Sequence, residues 1–232
     1  YRAAEQASLA KSRFLAAASH DLRQPLQTLS LLRGLIARAP GPAGLGPLLG
    51  RFGSTIATLT LMLDSLLDVN RIEAGIVQVQ LETVALDDVL EGLRAEFAEI
   101  ATARGLDLRV VPTSRLARTD RQLLEQILRN LLSNALKYTR RGRILLGCRL
   151  VGDRARVEVW DTGVGIPDRE LRAIFEEFHQ VDPMDRSGSR GLGLGLSIVR
   201  RLAELLQHPV GVRSRLRRGS VFSVTVPLMV RP

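Results

Sequence analysis

The 232-residue chain is poor in several residue types, and each scarcity excludes something. It has one cysteine, Cys148, so no internal disulfide framework can form. The three histidines, His20, His179 and His208, lie far from one another and from Cys148, without the spacing of a zinc site. No apolar run reaches the roughly 18 residues that cross a bilayer, because arginine interrupts each candidate. Aromatic residues make up 4% of the chain, which leaves few rings for stacking on bases. The chain opens at Tyr1 in a helix-like stretch and shows no signal peptide. It reads as a fragment of something longer, from which a sensor or membrane segment could have been cut away, and a cytoplasmic location is expected for it. Also missing are a Gly-x-Gly-x-x-Gly turn after a strand, a Gly-Lys-Ser/Thr phosphate loop, and the His-Arg-Asp and Asp-Phe-Gly runs of Ser/Thr/Tyr kinases.

What is present is enough for a core: 45% of residues are hydrophobic and 25% charged. The net charge of +9 is uneven, at +3 over residues 1–75, −1 over 76–182 and +7 over 183–232. Such a basic end fits nucleic acid or anionic lipid, or an arginine-rich surface around a phosphate site, and the alternation of Arg213, Arg215 and Arg217 favours the last. Only Lys11 and Lys137 are lysine, so a lysine beside polar residues carries unusual information.

Apolar periodicity predicts a helix over 1–38, with Leu15, Leu22, Leu29 and Ile36 seven apart. A Pro/Gly-rich break is expected over 39–47. A second helix runs to about residue 74, where Gly75 stops it. A two-helix hairpin leaves half of each stripe in water, so a homodimer closing a four-helix bundle is expected. Beyond residue 75 the pattern is mixed α/β. Strands are expected at 76–81, 106–111, 143–151, 154–160, 210–215 and 221–226, and helices at 87–103, 120–138, 167–178 and 193–206. Residues 179–192 read as a loop, 143–151 and 154–160 as a hairpin with Gly152–Asp153 at its turn, Trp160 as core at a strand end, and Asp120 or the residue before it as the cap of the 120–138 helix. Two domains follow: a helical hairpin over 1–75 and one α/β layer domain over 76–232.

Four constellations carry chemistry. His20 falls on the outer face of the first helix, beside Asp21 and one turn from Gln24, with Pro25 breaking a helical hydrogen bond nearby. A histidine oriented by a carboxylate is a nucleophile candidate, although an ordinary surface histidine reads the same way in isolation. Asn130, Asn134 and Lys137, spaced four and three, line one helical face. Amide oxygens suit Mg²⁺ and an ammonium suits phosphate; a solvated polar face is the alternative. Asp161-Thr162-Gly163-Val164-Gly165 follows an apolar strand. It can present a carboxylate to an amino group beside bare backbone, or be only a strand-to-helix turn. Gly191, Gly193 and Gly195 lead into a helix whose N–H groups can meet phosphate.

In this order, these runs resemble the sensor histidine kinases of two-component systems, over essentially the whole chain. Residues Ser19 to Leu26 resemble the phospho-acceptor box and Asn130 to Tyr138 the N box. Asp161 to Pro167 resemble the Asp-x-Gly-x-Gly box, Ile174 to Gln180 the F box, and Gly191 to Gly195 the last glycine box. The resemblance implies ATP-dependent autophosphorylation of His20, with Asp21 as base, and transfer to an aspartate of a response-regulator receiver domain. It also implies a Bergerat-type ATP-binding sandwich. There Asn134 would hold Mg²⁺ with Asn130 nearby, Lys137 would meet phosphate, and Tyr138 would pack on the nucleotide. Asp161 would read the adenine amino group in a pocket shaped by Gly163 and Gly165. Residues 179–192 would form a lid hinged on Phe175 and Phe178, with Arg190, Gly191, Gly193 and Gly195 at the phosphates. In water-using relatives a Glu stands where Asn130 does, so transfer should win over hydrolysis. Gln24 replaces the commoner Thr or Asn, which leaves regulator phosphatase activity open. The acceptor box resembles those of hybrid kinases, which hints at a receiver domain after Pro232. A non-catalytic dimeric scaffold and a basic nucleic-acid-binding module are the competing readings.

Overall fold

The computed structural model describes residues 22–38, 41–181 and 193–229. They fall into two compact units that divide between Asn70 and Arg71. His20, Asp21, Arg190 and Gly191 lie outside the described residues, as do most of the expected lid and the start of the first helix.

In the first unit, α1 spans 22–36 and α2 spans Pro42–Glu73. The break between them is shorter than the 39–47 expected. Pro42 occupies the first position of α2, where its fixed φ and missing N–H cost nothing, so the helix starts five residues earlier than Pro47 would suggest. Pro47 is carried inside the helix. The stop at Gly75 is as expected. Gly75 adopts φ +65°, its N–H donates to the Ile72 carbonyl, and the Ile76 N–H donates to the Arg71 carbonyl. This pair of bonds closes the last turn with a left-handed residue that glycine adopts without strain. Leu32 and Val69 are buried, whereas Leu26, Leu35, Leu49, Ile56 and Leu63 are exposed. A single hairpin therefore leaves much of its apolar surface in water.

Among the described residues the second unit holds two sheets and three α-helices. β1 (Glu82–Ala85) pairs antiparallel with β3 (Leu116–Thr119). The larger sheet has the order β2-β4-β5-β7-β6, formed by Leu106–Val110, Gly142–Val151, Arg154–Asp161, Gly219–Pro227 and Val210–Arg215. Only β2 and β4 run parallel, and α4 (Arg121–Tyr138) lies in the chain between them. Helices α3 (Leu86–Ala103), α4 and α5 (Gly195–Leu206) cover one sheet face. The core is their apolar side against Ile144, Leu146, Val157, Val159, Val224 and Val226, all at most 1% exposed. Strand periodicity of two sends the alternate residues to the opposite face.

The β4–β5 hairpin matches its expected register, with Val151 opposite Arg154 around Gly152 and Asp153. Three expectations fail. Residues 76–81 form no strand: the Gln80 N–H donates to the Asp120 carboxylate at 2.8 Å instead of a neighbouring strand, and pairing begins only at Glu82. The helix expected over 167–178 is two short 3₁₀ turns, Asp168–Glu170 and Ala173–Phe175, with Phe178 left-handed at φ 61°. Long-range ties hold this segment: His179 Nε2 meets Glu170 at 2.8 Å and Arg201 pairs with Glu177. Trp160, expected in the core, is 42% exposed because the period of two that buries Val159 turns it outward.

Asp120 is the expected cap of α4. It is buried, and it accepts from the Leu123 N–H at 3.1 Å as well as from Gln80. His208, given no role from sequence, is also buried; its Nε2 meets Thr119 Oγ1 at 2.8 Å, tying β3 to the α5–β6 connection. Burial pushes its imidazole below the ordinary histidine range. Because the Asp120 carboxylate satisfies two backbone donors, Asp120→Ala should cost about 2 kcal/mol or more. Chemical denaturation checks this, and a loss within a few tenths of a kcal/mol would contradict it.

Candidate functional site

The end of β5 and the two ends of α4 and α5 nearest it build the site. Asp161 closes β5 on the same face as Val157 and Val159, toward the helices. The Gly163 N–H donates to Asp161 Oδ1 at 2.8 Å, and the backbone and hydroxyl of Ser220 also hydrogen-bond the carboxylate. Burial raises the Asp161 carboxyl above its ordinary value, and those hydrogen bonds pull the other way. The result is a half-buried carboxylate with fixed orientation, able to accept from a further donor.

Bare backbone surrounds it. A Cβ on Gly163 would stand 2.9 Å from the Tyr138 carbonyl carbon, at the end of α4. Gly165 has φ +69°, and a Cβ there would collide with the Arg215 carbonyl. The Val164 carbonyl accepts from the Arg217 N–H at 2.6 Å, and the Ile166 N–H donates to Ser214 Oγ at 2.8 Å. These contacts lock the Asp161 turn between the C-terminal end of α4 and the β6–β7 turn.

On α4, Asn130, Asn134 and Lys137 are half-buried on one face, while Leu128, Leu131, Leu132 and Leu136 are buried on the other side. Asn130 Nδ2 donates to the Gln126 carbonyl at 2.9 Å, which leaves Oδ1 as the open acceptor. A Cβ on Gly195 would lie 3.1 Å from that oxygen and 3.9 Å from Asn134 Nδ2. Gly195 thus brings the first N–H groups of α5 directly against the amide face. Lys137 Nζ stands 5.0 Å from the centre of the Tyr138 ring, and Tyr138 is 40% exposed. Gly193, at φ +70°, packs on the Phe178 and His179 backbone, where a Cβ would come within 2.9 Å of the Phe178 carbonyl carbon. Phe175 meets Phe222 edge to face at 6.5 Å.

The structure therefore brings Asn130, Asn134 and Gly195 together at one end. Tyr138, Asp161, Gly163 and Gly165 meet at another, along the same helix. Gln24 lies in α1, half-buried, in the other unit. Among the described residues no group of three His, Cys, Asp or Glu could hold a metal. A divalent cation here would rest on amide oxygens and on the phosphates of a bound nucleotide, a donor set that suits Mg²⁺. Sequence reading missed Ser214, Gly219 and Ser220. Ser214 Oγ lies 2.9 Å from Ser220 Oγ, and a Cβ on Gly219 would stand 2.8 Å from the Asp161 carbonyl carbon. Their only sequence signal is a Gly-Ser pair after an arginine-rich turn.

Residues 10–75 match the model of the His Kinase A (phospho-acceptor) domain, and residues 119–230 match that of the histidine kinase-, DNA gyrase B- and HSP90-like ATPases. The chain belongs to the histidine kinases. It is 34% identical over 230 residues to the sensor histidine kinase RcsC of Escherichia coli strain K12, covering 98% of this chain and 24% of RcsC. It is 32% identical over 237 residues to the autoinducer 2 sensor kinase/phosphatase LuxQ of Vibrio vulnificus strain YJ016, covering 98% of this chain and 28% of LuxQ. The full-length ShkA crystal structure in complex with AMPPNP superposes with a TM-score of 0.68 at 28% identity, covering 94% of this chain and 46% of ShkA. The chain spans about a quarter of the length of these two curated relatives. No helix among the described residues is long and apolar enough to cross a membrane.

In this histidine kinase the Asp161 carboxyl binds its proton more tightly when folded than when unfolded. Its contribution to stability is therefore full below the ordinary carboxylate range and is lost as pH rises through the raised folded value. The stability of the native chain relative to Asp161→Asn should fall as pH rises over that window, measured by denaturation at a series of pH values. A relative stability that climbs with pH would contradict the burial argument.

Proposed function

We propose that this chain is an ATP-dependent protein-histidine kinase that phosphorylates its own His20 and passes the group to an aspartate of a response-regulator receiver domain. The observation that carries the proposal is the continuous track along α4. It runs from the half-buried Asp161 carboxylate, through Tyr138 and Lys137, to the Asn130 and Asn134 amides facing the start of α5. A carboxylate among glycines suits an adenine amino group and ring. A helix N-terminus facing amides and one lysine suits a metal–triphosphate.

Each residue then has a role. Asp161 accepts from the adenine amino group, Gly163 and Gly165 keep the pocket wall bare, and Tyr138 packs on the nucleoside. Lys137 meets phosphate as a point charge. Asn134, with Asn130, holds Mg²⁺, which supplies charge neutralisation on the phosphates. Gly193 and Gly195 lie on the phosphate side, Arg190 and Gly191 are assigned to the phosphates as well, and Phe178 borders the lid. A His20 ring nitrogen attacks the γ-phosphorus as Asp21 takes the ring proton. ADP leaves and a phosphoramidate remains. Asn130 has no basic oxygen at neutral pH to activate water, which favours transfer over hydrolysis. The receiver aspartate then displaces histidine from the phosphoryl group.

The hairpin of residues 1–75 is the dimerisation and phospho-acceptor domain, and residues 76–232 are the ATP-binding domain. The exposed leucines and isoleucines of α1 and α2 support a homodimer closed into a four-helix bundle. The receiver domain is either separate or fused, and this part of the protein works in the cytoplasm. A regulator phosphatase activity, positioned by Gln24, is a further part of the reading; the name of LuxQ pairs kinase with phosphatase.

Incubation with Mg²⁺ and γ-labelled ATP tests the reading. The native chain should acquire acid-labile, alkali-stable label that is absent from His20→Gln. Label that persists in His20→Gln would reject His20 as the acceptor, and ATP binding without any label would reject kinase chemistry and leave the scaffold reading.

A further inference from the structure

The sheet face opposite the helices is used by none of the roles above. Strand register gives its layout directly. One row across the sheet reads Arg109, Leu145, Trp160, Val221, Arg213: an apolar centre with a cation at each end. The next row reads Gly147, Glu158, Ser223, Gly211, three small residues around one acid. Arg143, Arg149, Arg154, Arg156 and Arg215 occupy the same face above and below these rows.

The charges are strongly one-sided. Seven arginines face two acids, Asp107 and Glu158. Arg109 pairs with Asp107 at 2.8 Å, and Arg149 and Arg213 share Glu158 at 2.9 and 3.9 Å. No carboxylate among the described residues pairs with Arg143, Arg154, Arg156 or Arg215. The centre is ordered by bonds that fix Trp160. Its Nε1–H donates to Glu158 Oε2 at 3.0 Å, and the Arg213 guanidinium lies 5.8 Å from the ring centre. Glu158 is 6% exposed while Trp160 above it is 42% exposed. A large ring is therefore held outward beside Gly211 and Ser223, while the Val111 side chain covers Gly147, 3.1 Å from where a Cβ there would stand.

A rigid aromatic centre with aliphatic neighbours and an arginine rim has the composition of a protein-docking surface. One ring cannot stack a run of bases, and the guanidinium groups that lack a carboxylate of their own, those of Arg143, Arg154, Arg156 and Arg215, suit carboxylates presented by a protein surface. We infer that this sheet face docks an acidic protein segment that presents apolar side chains to Leu145, Trp160 and Val221 and carboxylates to the surrounding arginines. The inference does not depend on the kinase reading, since no residue of the nucleotide site takes part.

Trp160 is the one tryptophan in the chain, so its emission reports on this face alone. The probe is a fluorescein-labelled peptide of Glu, Leu and Ser, titrated against the native chain by anisotropy and tryptophan emission. It should bind, shift the emission, and weaken with salt. Arg143→Glu with Arg154→Glu, both exposed and without a described carboxylate partner, should weaken binding about tenfold with the circular dichroism unchanged. A peptide with Ser in place of each Leu should bind more weakly than its parent. Three results would each overturn the inference: no binding by the native chain, equal binding by the reversed variant, or tighter binding to duplex DNA or to phosphatidylglycerol-containing vesicles than to the peptide.

Discussion

Three stretches of backbone meet at the end of β5 with no room for a side chain between them, and the proposed nucleotide site depends on that closeness. Gly163 lies against the last carbonyl of α4, Gly165 against the β6–β7 turn, and Gly219 against β5 itself. Two of these glycines, Gly165 and Gly219, also take positive φ, which other residues adopt only with strain. The turn is thereby pinned to α4 on one side and to β7 on the other. Asp161 is held by Gly163 and Ser220 in one orientation, half removed from water. The same packing aims the amide face of α4 at the start of α5, where Gly195 again removes the one side chain that would intervene. The buried carboxylate is unfavourable in itself, and the fold offsets that with donors instead of with an opposite charge.

Much of this was legible in the sequence because it is local. The spacing of Asn130, Asn134 and Lys137 fixes a shared helical face whatever packs around it, and the structure leaves all three half-buried on that face. Asp120 before an apolar helix reads as a cap and is one. The Gly152-Asp153 turn and the left-handed Gly75 follow from what glycine permits.

What failed was decided at a distance. Strand β3 is four residues long and exists by pairing with β1, which no window around Leu116 can show. Residues 76–81 alternate like a strand, yet the Gln80 N–H donates to a carboxylate forty residues on. The segment after Pro167 has helical periodicity but is tied to Arg201 of α5 and closed on itself by His179 and Glu170. Trp160, expected in the core at its strand end, is exposed because strand parity turns it to the face opposite Val159. Ser214 and Ser220 carry no motif and act only because β6 and β7 pair beside β5. Parity also separates the two faces of the sheet: Asp161 of the proposed nucleotide site lies on the helix side, and the row of Trp160 and the arginines lies on the other.

The central claim is that the Asp161 carboxylate recognises the adenine amino group. Calorimetric titration of ATP and inosine triphosphate, which lacks that amino group, into the native chain and Asp161→Asn tests it most directly. A charge-assisted hydrogen bond of about 1.5–3 kcal/mol predicts that the native chain prefers ATP by roughly 10- to 100-fold. The preference should vanish in Asp161→Asn. Equal affinity of the native chain for the two nucleotides, or a preference that survives the substitution, would contradict the account.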